Sequence, residues 1–285
     1  MENNNSNITE MKFSVLMSLY HKEKDSQLRQ CLDSLLNQTV LPDEIVIVKD
    51  GPLTEQLDKT IDEYVAKNPD LYTIVPLEKN QGLGLALAEG IKHCRNELVA
   101  RMDTDDISVP NRFELQLKEF AKDPELDICG GHIKEFGKDP NVILSIRKVP
   151  LTHDEIVKYQ KKRDAFNHVS VMFKKSKVLA AGNYQHCLLM EDTLLWANML
   201  MNGAKGKNID EYLVLVRTDE SMFERRGGWD YVRKYAEGRK KVYETGFINI
   251  WEYYYPVLVQ VVFALVPNGV RETIYRKLLR TNNEE

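Results

Sequence analysis

The chain has 285 residues, a formal net charge of −4, and 43% hydrophobic and 29% charged residues. That balance describes a soluble globular protein, long enough for one large α/β domain or one domain with a C-terminal appendage. The mild charge argues against nucleic acid as main partner, and four scattered cysteines without a C-x-x-C pair (Cys31, Cys94, Cys129, Cys187) argue against a zinc site or disulfide framework and for buried thiols in a reducing compartment.

Met1–Glu10 is polar and Asn-rich and lacks an apolar signal core, so secretion is not expected. Phe13–Leu19 reads as a buried strand, followed by a helix in which Leu28, Cys31, Leu32, Leu35 and Leu36 recur at helical spacing. Glu44–Val48 is a second strand, ending in the turn signal Lys49-Asp50-Gly51-Pro52. Leu57, Ile61, Tyr64 and Val65 mark a second helix, and Leu71–Leu77 is a third strand. Asn80-Gln81-Gly82-Leu83-Gly84 opens a helix through Ile91, and Leu98–Met102 is the fourth strand. This β-α alternation predicts a parallel sheet covered by helices. Asp50, the Gly82–Gly84 turn and the acidic residues after Met102 should then converge on one sheet edge.

A helix is predicted from Pro110 to Ala121, with paired strands over Ile128–Phe136 and Val142–Val149. Thr152–Lys162 reads as a helix whose end, with Lys161, Lys162 and Arg163, is solvated. His168–Phe173 alternates as a strand, Gly182-Asn183-Tyr184 is a loop, and Glu191-Asp192 begins a helix that ends at Asn202-Gly203. Tyr212–Val216 is the last strand, and helices follow over Trp229–Glu244, Ile250–Leu265 and Val270–Leu279. No stretch reaches the ~18 apolar residues that a membrane-spanning helix needs; Val257–Val266 is short and broken by Gln260.

The most informative stretch is Glu97–Asp106, an apolar run ending in Asp103-Thr104-Asp105-Asp106. Three clustered carboxylates repel one another unless a cation or a donor-rich ligand sits among them. Hard Mg2+ or Mn2+ ions take oxygen ligands and bridge carboxylates to phosphates. The competing reading is that Asp105 and Asp106 cap the helix that starts near Pro110.

Ser14–Tyr20, Val48-Lys49-Asp50-Gly51, Asn80–Gly84, Ala100–Asp106 and Met190-Glu191-Asp192 stand in the order found in family 2 glycosyltransferases, which this chain resembles over about residues 12–220. The run Asp106–Phe113 is similar to the bacterial capsule, exopolysaccharide and O-antigen branch. The resemblance implies a GT-A fold: a Rossmann-like, mostly parallel sheet with helices on both faces. It implies a domain over 1–220, with a nucleotide-binding part at about 12–106 and an acceptor part at about 107–220, and a helical C-terminal extension over 221–285. The implied activity is inverting transfer from a UDP-sugar, with Mn2+ or Mg2+, to a glycan or lipid-linked saccharide.

Residue by residue, the resemblance puts Leu19 and Tyr20 beside the nucleoside and gives Asp50 the uracil N3–H. Lys49 stands where many relatives have a second acid, and Ala88 where relatives often have Asn. Gly82 and Gly84 allow close backbone approach to the nucleotide. Asp103 contacts ribose or uracil, Asp105 ligates the metal, and Asp106 caps the next helix or orients the donor sugar. Arg101 neutralises the cluster or approaches the donor, although a surface ion pair is the preferred reading. Asp192 is the implied base and Glu191 a ligand for acceptor hydroxyls; helix-terminal carboxylates favoured by the macrodipole are the plain alternative. His168 lies near the acceptor or diphosphate, or is structural, and Arg225 with Arg226 forms a basic loop that closes over the diphosphate or is a solvated charge pair.

At the C-terminus Trp251, Tyr253, Tyr254 and Tyr255 precede an apolar run and then Arg271, Arg276, Lys277 and Arg280. This order suits a helix lying in a membrane interface on the cytoplasmic face; a core helix or a homo-oligomer contact is the alternative. Two other classes fit parts of the pattern. A sugar nucleotidyltransferase would carry a Gly-rich basic loop after the first strand, where Tyr20-His21-Lys22-Glu23-Lys24 has no Gly. A non-catalytic nucleotide-sugar-binding protein would have no need of Asp192.

Overall fold

The computed structural model describes residues 8, 10–218 and 228–266. The basic loop at Arg225 and Arg226, the helix expected over Val270–Leu279, and the cations Arg271, Arg276, Lys277 and Arg280 lie outside the described residues.

The first half runs β1 (Phe13–Leu19), α1 (Asp25–Leu36), β2 (Glu44–Lys49), α2 (Glu55–Lys67), β3 (Tyr72–Pro76), α3 (Leu83–His93), β4 (Leu98–Arg101), β5 (Ile107–Ser108) and α4 (Arg112–Lys122). The second half runs β6 (Leu126–Phe136), β7 (Ile143–Arg147), α5 (His153–Gln160), β8 (Met172–Lys174), α6 (Lys175–Ala180), α7 (Glu191–Met201), β9 (Lys205–Arg217), α8 (Gly228–Glu244) and α9 (Ile250–Leu265).

The described strands form a single sheet of order β3-β2-β1-β4-β8-β6-β9-β5, with β7 on β6. The block β3-β2-β1-β4 is parallel throughout. Its central strands are apolar runs buried on both faces, as parallel strands are. Successive residues of β1 serve opposite layers, as the strand period of two requires. Val15, Met17 and Leu19 pack with Leu28 and Leu32 of α1, Ile61 of α2 and Phe113 of α4. Leu16 packs with Ala86, Leu87 and Ile91 of α3 and with Leu195 and Trp196 of α7. The chain steps outward from β1 to β2 and β3, then returns to place β4 on the other side of β1. That reversal between β1 and β4 is the topological switch point where open sheets bind ligands.

Beyond β4 the sheet is mixed: β8 is antiparallel to β4 and β6, while β9 is parallel to β6. Three expectations change here. The strand expected over His168–Phe173 is a 3-10 turn at His168–Ser170 followed by β8. The turn wins because Ser170 Oγ donates to Gly131 O, and Asn167 Nδ2 also reaches Gly131 O, at 2.8 Å. The last strand is longer than Tyr212–Val216 because it pairs along most of β6, through polar residues that hide its pattern. The helix expected from Pro110 begins at Arg112, with Asn111 at its N-cap.

The C-terminal helices close the α7 side. Val242, Phe247 and Ile248 pack with Cys187, Met190, Leu194 and Ala197. A Cβ on Gly238 would lie 2.7 Å from Met190 Sδ, so α8 meets the residue before Glu191 at a spot that has room only for glycine. Arg239 is 1% exposed and donates from Nη2 to the Lys161 and Glu252 carbonyls. α9 turns Trp251, Tyr255, Leu258, Val262 and Leu265 to solvent, with Trp251 at 78% exposure. No described helix is long and apolar enough to cross a membrane.

Candidate active site

Each donor-side residue follows a parallel strand, so the common strand direction gathers them at one edge. Asp50 follows β2 and is buried; its carboxylate accepts from the amides of Gln81 (2.7 Å) and Gly82 (3.0 Å). Gly82 adopts φ +87°, a conformation that glycine reaches without steric cost, and turns the chain into α3. Asp50 therefore ties the glycine turn to the edge of the sheet. Lys49 points away, to Asp58 on α2 at 2.5 Å. Leu19 is wholly buried in the core, so it lies beneath the site and offers no side-chain surface to a nucleoside, because helices cover both faces of β1. Tyr20, the next residue, is half-buried beside the His21 ring.

Arg101 is 2% exposed, which corrects the expectation of a surface ion pair. As the last residue of β4, between β1 and β8, it has no route to solvent, and both terminal nitrogens of its guanidinium grip the Asp103 carboxylate. Asp106 is not a helix cap either. It is buried and accepts from the Arg217 amide at 2.7 Å, holding the end of β9. Burial, Asp103 and Asp105 push its carboxyl well above the usual range. Asp105 is pushed up to about 6 by burial and by Asp103. Glu23, in the loop after β1, is pushed up to about 7 by burial, Asp105 and Asp103. Four acids thus crowd the switch point, and an added cation would relieve them.

No group of three or more His, Cys, Asp or Glu side chains among the described residues is arranged to hold a metal by itself. With Asp103 gripped by Arg101, the chain offers essentially Asp105. Mg2+ and Mn2+ suit this donor set, because they are commonly held by one or two carboxylates with substrate phosphates and water completing the shell.

The facing wall is the N-terminus of α7. Glu191 and Asp192 stand in its first turn. A Cβ on Gly84 would meet Glu191 Cβ at 2.9 Å, so the glycine turn and the Glu-Asp pair are in direct contact. The helix dipole alone would lower these carboxyls. Instead burial raises Glu191, and burial, Asp164 and Glu191 hold Asp192 well above the usual range. The environment therefore overrides the macrodipole, and Asp192 is a carboxylate with high proton affinity. Thr193 N donates to Asp192 Oδ1 at 2.8 Å.

Arg101 sits between the two walls. Its charge favours the ionised forms of Asp105, Asp106, Glu191 and Asp192. It also helps burial keep His168 neutral. The phenol of Tyr184 lies 2.9 Å from His168 Nε2, so with a neutral ring the phenol donates and Nε2 accepts. Tyr184 is 3% exposed; burial pushes its phenol up, Asp192, Glu191 and Asp103 add to this, and Arg101 opposes it. Asn183, at φ +61°, sends Nδ2 to the Ala88 carbonyl at 2.9 Å and fastens the Tyr184 loop to α3.

The structure therefore brings together Asp50, Gly82, Arg101, Asp103, Asp105, His168, Glu191 and Asp192. Sequence reasoning missed Glu23, Tyr184, Asp164 and Arg217. An acid in the loop that follows the first strand was a usable signal for Glu23; the other three carried none.

The model for Glycosyl transferase family 2 matches residues 14–179. The amylovoran biosynthesis glycosyltransferase AmsE of Erwinia amylovora is 40% identical, over 93% of this chain and 98% of its own length. The UDP-Gal:alpha-D-GlcNAc-diphosphoundecaprenol beta-1,3-galactosyltransferase of Escherichia coli is 37% identical, over 94% of this chain and 97% of its own. Among solved structures, the Pyrobaculum calidifontis mannosyltransferase PcManGT in complex with GDP-Man and Mn2+ superposes with a TM-score of 0.62, at 14% identity, over 95% of this chain and 77% of its own. Staphylococcus aureus TarS 1-349 in complex with UDP-GlcNAc gives 0.59 at 17% identity, over 94% and 72%. The architecture is the GT-A fold. On the family match and these relatives, the chain belongs to glycosyl transferase family 2 and is a glycosyltransferase.

Proposed function

We propose that this protein transfers a sugar, with inversion, from a UDP-sugar to a hydroxyl of a glycan or lipid-linked saccharide in bacterial surface polysaccharide synthesis. The observation that carries the reading is the meeting of two carboxylate groups across the buried Arg101: Asp103–Asp105 on the donor wall and Glu191–Asp192 on the other. The E. coli relative, named for UDP-Gal and a diphosphoundecaprenol acceptor, supports both substrate classes.

Asp105 would hold Mn2+ or Mg2+, and Asp103 would face the ribose or uracil. The ion, when bound, offsets the charge that grows on the departing diphosphate. Asp50 keeps the Gly82 turn in place and has lone pairs left for the uracil N3–H. Asp192 takes the proton of the acceptor hydroxyl as the new C1–O bond forms and the bond to UDP breaks. Its raised proton affinity matches the task, since a base works best with a pKa near the working pH. Glu191 binds acceptor hydroxyls, and neutral His168 with Tyr184 lines the same space. Arg101 prevents the two acid groups from excluding each other.

The aromatic and apolar face of α9 supports a seat at the cytoplasmic membrane surface, with the acceptor presented from the lipid. A homo-oligomer contact on this face is the competing use.

Asp192→Asn tests the chemistry. Transfer should fall by about 10²–10⁴-fold while UDP-sugar affinity stays near wild type. In the wild type, the rate should rise with pH through the raised Asp192 value, because only the ionised form accepts a proton. Single-turnover transfer and calorimetric UDP titration on one preparation check both; transfer within a few-fold of wild type would remove Asp192 as base.

A further inference from the structure

The base has a second carboxylate behind it. Thr193, 2% exposed, is held from two sides. Its amide donates to Asp192 Oδ1 at 2.8 Å, and its hydroxyl donates to Asp164 Oδ1 at 2.6 Å. Asp164 belongs to the loop between α5 and the 3-10 turn, 29 positions before Thr193. It is fixed there independently. Gln160 Nε2 donates to the same oxygen at 3.3 Å, Gln160 Oε1 accepts from the Ala165 amide, and Arg147 Nη2 donates to the Asp164 carbonyl at 2.9 Å. The loop and the first turn of α7 are thus joined at the residue next to the base.

We propose that Asp164 is a positioning residue for the Asp192 base: through Thr193 it fixes the turn that carries Asp192, and it keeps a second negative charge beside it. The inference rests on the reading of Asp192 as base. A carboxylate so placed has two separable effects. The hydrogen bond sets the direction of the helix start, and the charge makes Asp192 hold a proton more firmly. Asp164 comes first, after burial, among the influences that raise Asp192; Glu191 follows and Arg101 opposes them. The other ionisable groups facing Asp192 are Tyr184 and Cys187, both from the loop before α7 and both pushed up chiefly by burial. Those facing Asp164 from α8 are Tyr235, pushed up to about 12, and Arg239. Arg239 spends its Nη2 on two carbonyls, Lys161 and Glu252.

Two variants separate charge from hydrogen bond. Asp164→Asn keeps an acceptor for the Thr193 hydroxyl and removes the charge. Thr193→Val keeps the charge and removes the bond. For Asp164→Asn we expect kcat to drop about tenfold at the pH plateau, with unchanged UDP-sugar affinity, because a weaker base abstracts the proton less readily. The acid limb of its pH profile should move to lower pH, since losing a like charge lowers the proton affinity of Asp192. Thr193→Val should also lose kcat, with its acid limb at the wild-type position. Thermal melting and UDP titration establish that both variants are folded. An Asp164→Asn profile that overlays the wild type overturns the inference. So does a loss as large as that of Asp192→Asn, which would make Asp164 itself the base. If Asp192→Asn alone retains transfer, the parent reading fails instead, and the two failures are told apart.

Discussion

The two walls of the cleft use the same raw material, crowded carboxylates, to opposite ends. On the donor wall most of the acids are bound to groups that donate to them. Asp50 takes two amides, Asp103 a guanidinium and Asp106 the Arg217 amide. Asp105 stands out, its carboxyl raised by burial and by Asp103. On the α7 wall the neighbours of Asp192 are themselves acids, Asp164 and Glu191, and the cation that reaches it, Arg101, is already committed to Asp103. Crowding on the donor wall creates demand for a metal ion; crowding on the α7 wall creates demand for a proton. A carboxylate cluster is thus not one kind of site, and its role depends on which donors the fold has already assigned to it.

The sharpest break of that comparison is at Asp105. Asp105→Ala should weaken Mn2+-dependent UDP binding by more than about 100-fold, beyond the loss typical of an outer-shell partner. Metal-independent UDP binding should change little, as calorimetry with and without Mn2+ would read. Equal metal-dependent affinity in a folded variant would place the ion elsewhere.

Arg101 joins the walls, so its removal should register on both. Arg101→Met leaves Asp103 without its partner. Because the Asp103 side chain is 37% exposed, water offsets part of the loss. The stability cost should be about 2 kcal/mol, below the 3–5 typical of a broken fully buried pair. Denaturant unfolding measures it. The acid limb of transfer should move to higher pH, since Arg101 favours ionised Asp192. That shift is opposite in sign to the one expected for Asp164→Asn, so the pair of variants brackets the base. A limb that stays put in Arg101→Met would mean that the walls are electrically independent.

The smallest effect on chemistry should come from α9. Replacing Trp251 and Tyr255 by Ser should reduce partitioning onto anionic vesicles by about 100-fold or more, since burying each aromatic contributes roughly 1.5–3 kcal/mol. Transfer to a water-soluble acceptor should not change. If the wild type does not sediment with vesicles and its association state falls in the double variant, the face is an oligomer contact.

The acids at the ends of the parallel strands are legible in chain order alone. Apolar runs ending in Asp50 and in Asp103–Asp106 are local patterns, and a parallel sheet carries the ends of its strands to one edge without further information. The same locality placed Glu191 and Asp192 at a helix start and marked α8 and α9 nearly to the residue. Which charges meet depends on packing that no local pattern carries. Arg101 looked like a surface residue because nothing in Ala100-Arg101-Met102 indicates that β8 will pack beside β4 and seal it from water. Leu19 is put beside the nucleoside by resemblance, but helices cover both faces of β1 and leave its side chain in the core. Asp164 and Tyr184 sit in stretches with no pattern, yet both act on Asp192. Hydrophobic periodicity reports on neighbours three or four residues away, whereas burial and Coulomb contacts are set by segments that lie tens of residues apart and meet only when the sheet and α7 pack together.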